Sequence, residues 1–325
     1  MTYTIEKVTT LIGARRYGDN DTNIGFILTD SRSLCFPEET LFFALKSERN
    51  DGHNYIPELY RRGVKNFVVT DVPKGYASDY PEANFLKVVN TLEALQRLAE
   101  RHRDEFNIPI VGITGSNGKT MVKEWLYQLL SPSMFVTRSP RSYNSQIGVP
   151  LSVWLMNEQT QVGVFEAGIS QPGEMLALRD IIQPTIAVLT NVGSAHQENF
   201  SSLEEKCREK LILFHDAETV VYDGDDEVIT KVVAEYPDYK GEKLFWSLQN
   251  PEAPFYVKKI EKQQSVSVIT YIYKGVEDSF SIPFIDDASI QNSIICAAVA
   301  SKIGLSAEDI DKRMALLEPV AMRLE

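Results

Sequence analysis

Apolar and polar positions alternate in two different rhythms along the chain. Through the first hundred residues, short apolar runs are interleaved with amphipathic ones. Runs over 25–29, 40–45, 66–70 and 85–89 read as strands, being brief, apolar and bounded by turn-forming residues. Residues 55–62 and 91–105 read as helices; in the second, Leu92, Leu95, Leu98 and Ala99 recur at helical spacing. The connection over 73–84 carries Pro, Gly, Ser and Asp, as a surface loop does.

A second rhythm begins near Asn107-Ile108-Pro109. Strands over 110–114, 161–166, 185–191 and 219–222 alternate with helices over 120–130, 173–182, 203–214 and 227–236. Alternation of this kind predicts a parallel sheet covered by helices on both faces. Residues 255–284 then alternate as antiparallel strands, most clearly over 265–273, and helices follow over 290–303 and 307–317. Ser306 stands at the N-cap position of the last helix. The expected fold is α/β. A small mixed α/β N-terminal domain (1–106) precedes a P-loop-type central domain (107–315), whose mostly parallel sheet carries an added antiparallel segment.

Composition narrows the classes. A length of 325 residues suits two or three domains, and 43% hydrophobic with 24% charged residues excludes an extended disordered chain. Lys plus Arg total 33 and Asp plus Glu 45, so the formal charge is 33 − 45 = −12. With no long basic run, that balance argues against nucleic acid as the main partner, although it permits a local basic pocket for a phosphorylated ligand. No apolar stretch approaches the roughly 20 residues of a membrane span, and Met1 to Gly18 lacks the apolar stretch of a secretory signal. Cys35, Cys207 and Cys296 are far apart with no Cys-x-x-Cys, which indicates neither a zinc site nor a disulfide framework. A reducing cytoplasm is the expected location.

The strongest motif is Gly112-Ile113-Thr114-Gly115-Ser116-Asn117-Gly118-Lys119-Thr120, between a strand and a helix. Glycines let successive N–H groups turn around a phosphate, the helix start adds a favourable dipole, Lys119 supplies charge and Thr120 a hydroxyl for Mg²⁺. Ile113 occupies the place where the general phosphate-loop pattern has Gly. Two further strands end in candidate ligands at the edge where α/β sheets bind substrates, Glu166 and, after Thr190-Asn191, His196. The helix over 202–210 is dense in charge. Glu204 and Arg208 form a favourable pair, whereas Glu205/Glu209 and Lys206/Lys210 repel, an odd choice for a merely solvated helix.

With these residues together, the chain resembles the Mur ligases, ATP-dependent amide-forming enzymes of peptidoglycan precursor synthesis. The phosphate loop has the family's form, Ile113 included. Asp30-Ser31-Arg32, residues 41–46 and Asp51-Gly52-His53 resemble the uridine-nucleotide-binding domain, and residues 143–150 resemble a further family segment. Ala195-His196 resembles the member that adds D-alanyl-D-alanine, where others usually carry Asp-His.

The resemblance implies UDP-N-acetylmuramoyl-tripeptide and D-alanyl-D-alanine as substrates, with ATP and Mg²⁺. It implies that Gly115, Ser116, Asn117, Gly118 and Lys119 cradle phosphates, and that Thr120, Glu166 and His196 serve metal sites. Lys210 aligns with a lysine that the family carbamylates into a metal ligand, Asn292 with an adenine contact, and Ser31, Arg32, Lys46 and Asn144 with substrate contacts. The chain departs from the family's common pattern at Ala288-Ser289, usually His-Asn, and at Ile212, often Glu. It also implies that residues 316–325 begin a linker to a third domain, so that the 325 residues alone are expected to bind UDP-sugar but ligate poorly. A folylpolyglutamate-synthase-like ligase and a nucleotide-binding module without catalysis are the competing readings.

Overall fold

The computed structural model describes residues 1–193, 199–237 and 239–320. The chain forms two compact units, Met1–Phe106 and Asn107–Glu325.

The first unit runs β1 (Tyr3–Thr4), α1 (Ile5–Ile12), β2 (Arg15–Tyr17), β3 (Asn23–Ile24), β4 (Phe26–Leu28), β5 (Thr40–Phe43), α2 (Ile56–Arg61), β6 (Asn66–Val69), α3 (Tyr76–Asp79), β7 (Asn84–Lys87) and α4 (Thr91–Arg103). Five strands pair in the order β2-β7-β6-β5-β4, all parallel except β2 against β7, while β1 and β3 pair separately. Strands β5 and β6 are buried at every residue, which is why they read as unbroken apolar runs. Asn90 caps α4 by accepting from the Leu92 and Glu93 N–H groups. Ala94 joins Leu95, Leu98 and Ala99 on its buried face, while Leu92 is only half-buried. Helix α1, not expected from the pattern, is capped by Thr4, buries Ile5, Val8 and Ile12, and ends at Gly13.

The second unit runs β8 (Ile110–Thr114), α5 (Lys119–Leu130), β9 (Val136–Arg138), α6 (Gly148–Val153), β10 (Val162–Glu166), α7 (Glu174–Ile182), β11 (Ile186–Leu189), α8 (Leu203–Leu211), β12 (Thr219–Asp223), α9 (Glu227–Ala234), β13 (Glu242–Ser247), β14 (Phe255–Lys262), β15 (Ser267–Tyr273), β16 (Val276–Ile282), α10 (Asp287–Ile303) and α11 (Ala307–Met314). One nine-stranded sheet has the order β16-β15-β14-β13-β12-β11-β8-β10-β9. It is parallel from β9 to β14 and antiparallel through β15 and β16. Strands β9 and β13 and helix α6 were not expected. The helix foreseen over 203–214 stops at Leu211 and tightens into a 3₁₀ turn over Ile212–Phe214.

Helix α5 lays Val122, Trp125, Leu126, Leu129 and Leu130 into the core. Helix α10 packs beside it, its Ala297, Ala298 and Ala300 small enough for close approach, and Cys296 Sγ reaches Val122 O at 3.7 Å. Registers of β8 with β10 and β11 bring the carboxyl ends Thr114, Glu166 and Leu189 to one edge. No helix among the described residues is long and apolar enough to cross a membrane.

Candidate functional site

At that carboxyl edge the chain leaves β8 through residues 115–118 and enters α5. Gly115 and Gly118 have φ of 144° and 82°, a region that side chains rarely adopt. A Cβ on Gly115 would come within 1.9 Å of Thr190 Oγ1, and one on Gly118 within 2.6 Å of Asn292 Oδ1. The loop has no side chain at its two ends, Gly115 and Gly118, because their neighbours leave no room for one. No side chain caps α5 at Gly118, so its first-turn N–H groups and its dipole are open to an anion.

The loop is clasped by the end of β11. Ser116 N–H donates to Asn191 O at 3.0 Å, and Asn117 N–H to Asn191 Oδ1 at 3.0 Å. Ser116 Oγ accepts from Gly193 N–H at 2.8 Å. Thr190 Oγ1 and Asn191 Nδ2 both donate to Asn117 O. Thr190 and Asn191, which the motif analysis passed over as the lead-in to His196, thus hold the loop's shape.

Lys119 is partly buried and folds back across the loop, donating to Gly115 O at 2.8 Å. Burial pushes its ammonium below the usual lysine range and Lys206 adds repulsion, while Glu166 opposes both. Glu166 is wholly buried at the end of β10. Its Oε2 accepts from Thr120 Oγ1 at 3.1 Å and from Asn144 Nδ2 at 3.4 Å. Its Oε1 lies 3.1 Å from Lys123 Nζ as an ion pair but takes no aligned hydrogen bond. Lys123, also wholly buried, donates to Ser139 O at 2.9 Å and to Arg141 O, and pairs with Glu124 Oε1 at 3.0 Å.

Sequence reasoning missed Lys123. The available signal was a lysine one helical turn beyond Lys119, inside the apolar run Val122, Trp125, Leu126.

Lys210, on α8, is buried and donates to Gly115 O at 3.3 Å. Burial, with repulsion from Lys119 and Lys206, pushes its ammonium down to about 7. Lys206, one turn earlier, is buried too and donates to Gly193 O at 2.6 Å. Asn292 on α10 sits beside Gly118, its Nδ2 directed to Met121 Sδ at 3.2 Å. The structure therefore brings Gly115, Ser116, Asn117, Gly118, Lys119, Thr120, Asn144, Glu166, Lys210 and Asn292 to one place, with Asn144 set against Glu166. His196 lies outside the described residues.

Thr120 and Glu166 offer adjoining hard oxygen donors, one of them a buried carboxylate. That donor set fits Mg²⁺, which accepts one or two protein oxygens and completes its shell with phosphate and water.

In the first unit, Ser31, Arg32 and Lys46 follow the parallel neighbours β4 and β5 and share their carboxyl edge. Asp30 caps a short 3₁₀ turn (Ser31–Ser33), and Arg32 grips its carboxylate, holding Asp30 down at about 2. Lys46 lies 3.7 Å from Asp51 Oδ2, and both cations remain largely exposed to a ligand. His53 Nε2 accepts from Thr70 N–H at 3.1 Å, so its Nδ1–H donates to Asp51 Oδ1 at 2.6 Å and fixes that carboxylate.

The Mur ligase middle-domain model matches residues 113–300, and the model of the Mur ligase family catalytic domain matches residues 23–103. The UDP-N-acetylmuramoyl-tripeptide–D-alanyl-D-alanine ligase of Bacillus subtilis is 29% identical over 311 residues, covering 94% of this chain and 64% of the relative. A solved structure of MurF from Acinetobacter baumannii superposes with a TM-score of 0.89 at 24% identity, covering all of this chain and 70% of that one. MurF ligase from Thermotoga maritima in complex with ADP gives 0.78 at 26%, covering 90% and 66%. The chain spans a little under two thirds of the length of the first curated relatives it matches.

Proposed function

The chain belongs to the Mur ligase family, and on that premise we propose that it serves an ATP-dependent ligation joining D-alanyl-D-alanine to UDP-N-acetylmuramoyl-tripeptide. The observation that carries the reading is the loop between Gly115 and Gly118 at the uncapped start of α5, with Lys119 and Thr120 beside buried Glu166. The choice of D-alanyl-D-alanine is supported by the names of the similar ligases. The same reading puts the reaction in the cytoplasm.

The chemistry is a problem of charge. An anionic carboxylate must approach an anionic triphosphate and take its terminal phosphoryl group, releasing ADP; the incoming amine must then attack the carbonyl carbon of that acyl phosphate, so that the amide bond forms as inorganic phosphate leaves. The start of α5 would hold the phosphate oxygens by backbone N–H groups, and Lys119 would swing from Gly115 O to the β- and γ-phosphates. Thr120 and Glu166 would hold Mg²⁺, which supplies further positive charge to those oxygens. Lys210 is buried among cations, an environment that favours its neutral amine, the form that combines with CO₂ to give a carbamate and release a proton. Asn292 would contact adenine, and Ser31, Arg32, Lys46 and Asn144 would serve the substrate; His196 is assigned to a metal site by the family resemblance alone.

A coupled phosphate-release assay tests the reading on this chain and on any longer polypeptide containing it. Phosphate release is expected only with ATP, Mg²⁺, UDP-N-acetylmuramoyl-tripeptide and D-alanyl-D-alanine together. Lys119→Ala should remove turnover by about a hundredfold or more while leaving UDP-sugar binding intact. Ligation retained by that variant, or folate bound in preference to UDP-sugar, would refute the assignment.

A further inference from the structure

The phosphate loop divides into backbone groups already bonded and backbone groups left open. Those of Ser116 and Asn117 are all engaged. Asn191 O accepts from Ser116 N–H, and the Asn191 side chain brackets Asn117, with Oδ1 accepting its N–H at 3.0 Å and Nδ2 donating to its carbonyl at 3.2 Å. Thr190 Oγ1 donates to the same carbonyl at 2.5 Å, and Lys119 Nζ to Ser116 O at 3.4 Å. The N–H groups of Gly118, Lys119, Thr120 and Met121, by contrast, bond to nothing among the described residues.

One peptide joins the two sets. In a trans peptide the C=O and the following N–H point in opposite directions. Anchoring Asn117 O on the residues that follow β11 therefore turns Gly118 N–H away from them, to join the open N–H groups of the first turn of α5. Gly118 cannot enforce this by itself: its φ is 82°, and glycine passes between positive and negative φ at little cost. If that peptide turned over, the carbonyl would replace the N–H on the open side. A carbonyl oxygen repels an anion where an N–H attracts it.

We propose that Asn191 is a positioning residue of the nucleotide site. With Thr190 it pins the Asn117 carbonyl, so that phosphate is received by the N–H groups of Gly118, Lys119, Thr120 and Met121 while those of Ser116 and Asn117 stay bonded to Asn191. Asn191 touches no phosphate; it sets which face of one peptide the phosphate meets. This inference rests on the nucleotide reading above.

Amide hydrogen exchange read by ¹⁵N NMR tests it on this chain, without nucleotide and with Mg-ADP, beside calorimetric titration with Mg-ATP, Mg-ADP and AMP. In wild type, the Ser116 and Asn117 amides should be protected before nucleotide is added, and the Gly118, Lys119 and Thr120 amides only after. Asn191→Leu keeps the side chain's size and removes both of its bonds. It should expose the Asn117 amide and weaken Mg-ATP and Mg-ADP alike by about tenfold, the worth of the lost hydrogen bonds, with little change for AMP. A wild-type Asn117 amide protected only by Mg-ADP, or Mg-ATP and Mg-ADP bound equally well by wild type and Asn191→Leu, overturns the role of Asn191 alone. A wild-type chain that binds no nucleotide overturns the nucleotide reading and this inference with it. Equal losses for all three nucleotides identify a merely structural residue and overturn the proposal. Should Asn191→Leu fail to fold by far-UV circular dichroism, Asn191→Ala takes its place; failure of both assigns Asn191 to the fold and also overturns it.

Discussion

Replacing Lys123 by Met would keep the length of the side chain and delete its charge at a wholly buried position. Four groups lose a partner: Glu166 Oε1 at 3.1 Å, the carbonyls of Ser139 and Arg141, and Glu124 Oε1 at 3.0 Å, whose carboxylate keeps Arg138. Breaking a buried ion pair by removing one member costs about 3–5 kcal/mol, because the surviving charge stays desolvated. Each carbonyl stranded without a donor adds about 1–3 kcal/mol. Lys119 also acts on Glu166 and offsets part of the first figure, so a net loss of about 4 kcal/mol is expected. Replacing both members, Lys123→Met with Glu166→Leu, removes the stranded charge and should recover about half of that loss or more. Urea unfolding read by tryptophan fluorescence is the assay, since Trp125, Trp154 and Trp246 all lie in the second unit and report on it alone. The four proteins form a double-mutant cycle. A loss below about 1 kcal/mol for Lys123→Met, the scale of an exposed pair, would refute the reasoning, as would a double variant less stable than both singles.

Lys210→Ala should lower turnover, with added short carboxylates restoring part of it, and ¹³C-labelled bicarbonate should give a carbamate resonance in wild type that the variant lacks; full activity of the variant removes Lys210 from the site. Gly118→Ala should abolish nucleotide binding, because its Cβ would press within 2.6 Å of Asn292 Oδ1 at a φ of 82°; unchanged ATP affinity in a titration would contradict this. Burial, reinforced by Asp225 and Asp226, raises the Asp223 carboxyl to about 6. A raised carboxyl contributes stability that is full below the unfolded value near 3.8 and is lost as pH rises through about 6. Asp223→Asn should therefore be more stable than wild type at pH 8 and lose that advantage toward pH 4, an expectation that parallel denaturation curves at the two pH values would defeat.

Much of the second unit was legible because its central strands are buried on both faces. Strands β8, β10 and β11 read as short apolar runs, and the glycines and Lys119 fall where strand turns to helix. Other elements hid for physical reasons. Strand β13 reads Glu-Lys-Leu-Phe-Trp-Ser, too polar at its start to stand out, and α6 carries Pro150, which reads as a break although it falls in the first turn, where proline is tolerated. Helix α1 is short and holds Thr9 and Thr10, weak helix formers that nevertheless bond back to Ile5 O and Glu6 O. In the site, the glycines and Glu166 could be picked by type and position. Lys123 offered only its place inside an apolar run and Lys206 only its repulsion with Lys210, because lysine is ordinarily a surface residue and its burial is decided by elements far off in sequence.

The clasp around the phosphate loop also sets an order of assembly. Asn117 is held by Asn191, 74 positions later, and Gly115 by Lys210, 95 positions later. As the chain emerges from the ribosome, strand β8 and helix α5 exist well before anything can fasten the turn between them. Closing links of this span is slow. On the proposed function, nucleotide capture would be an event of late synthesis, and ATP present at that moment would favour the closed loop by mass action, acting as a ligand that helps complete the domain holding it.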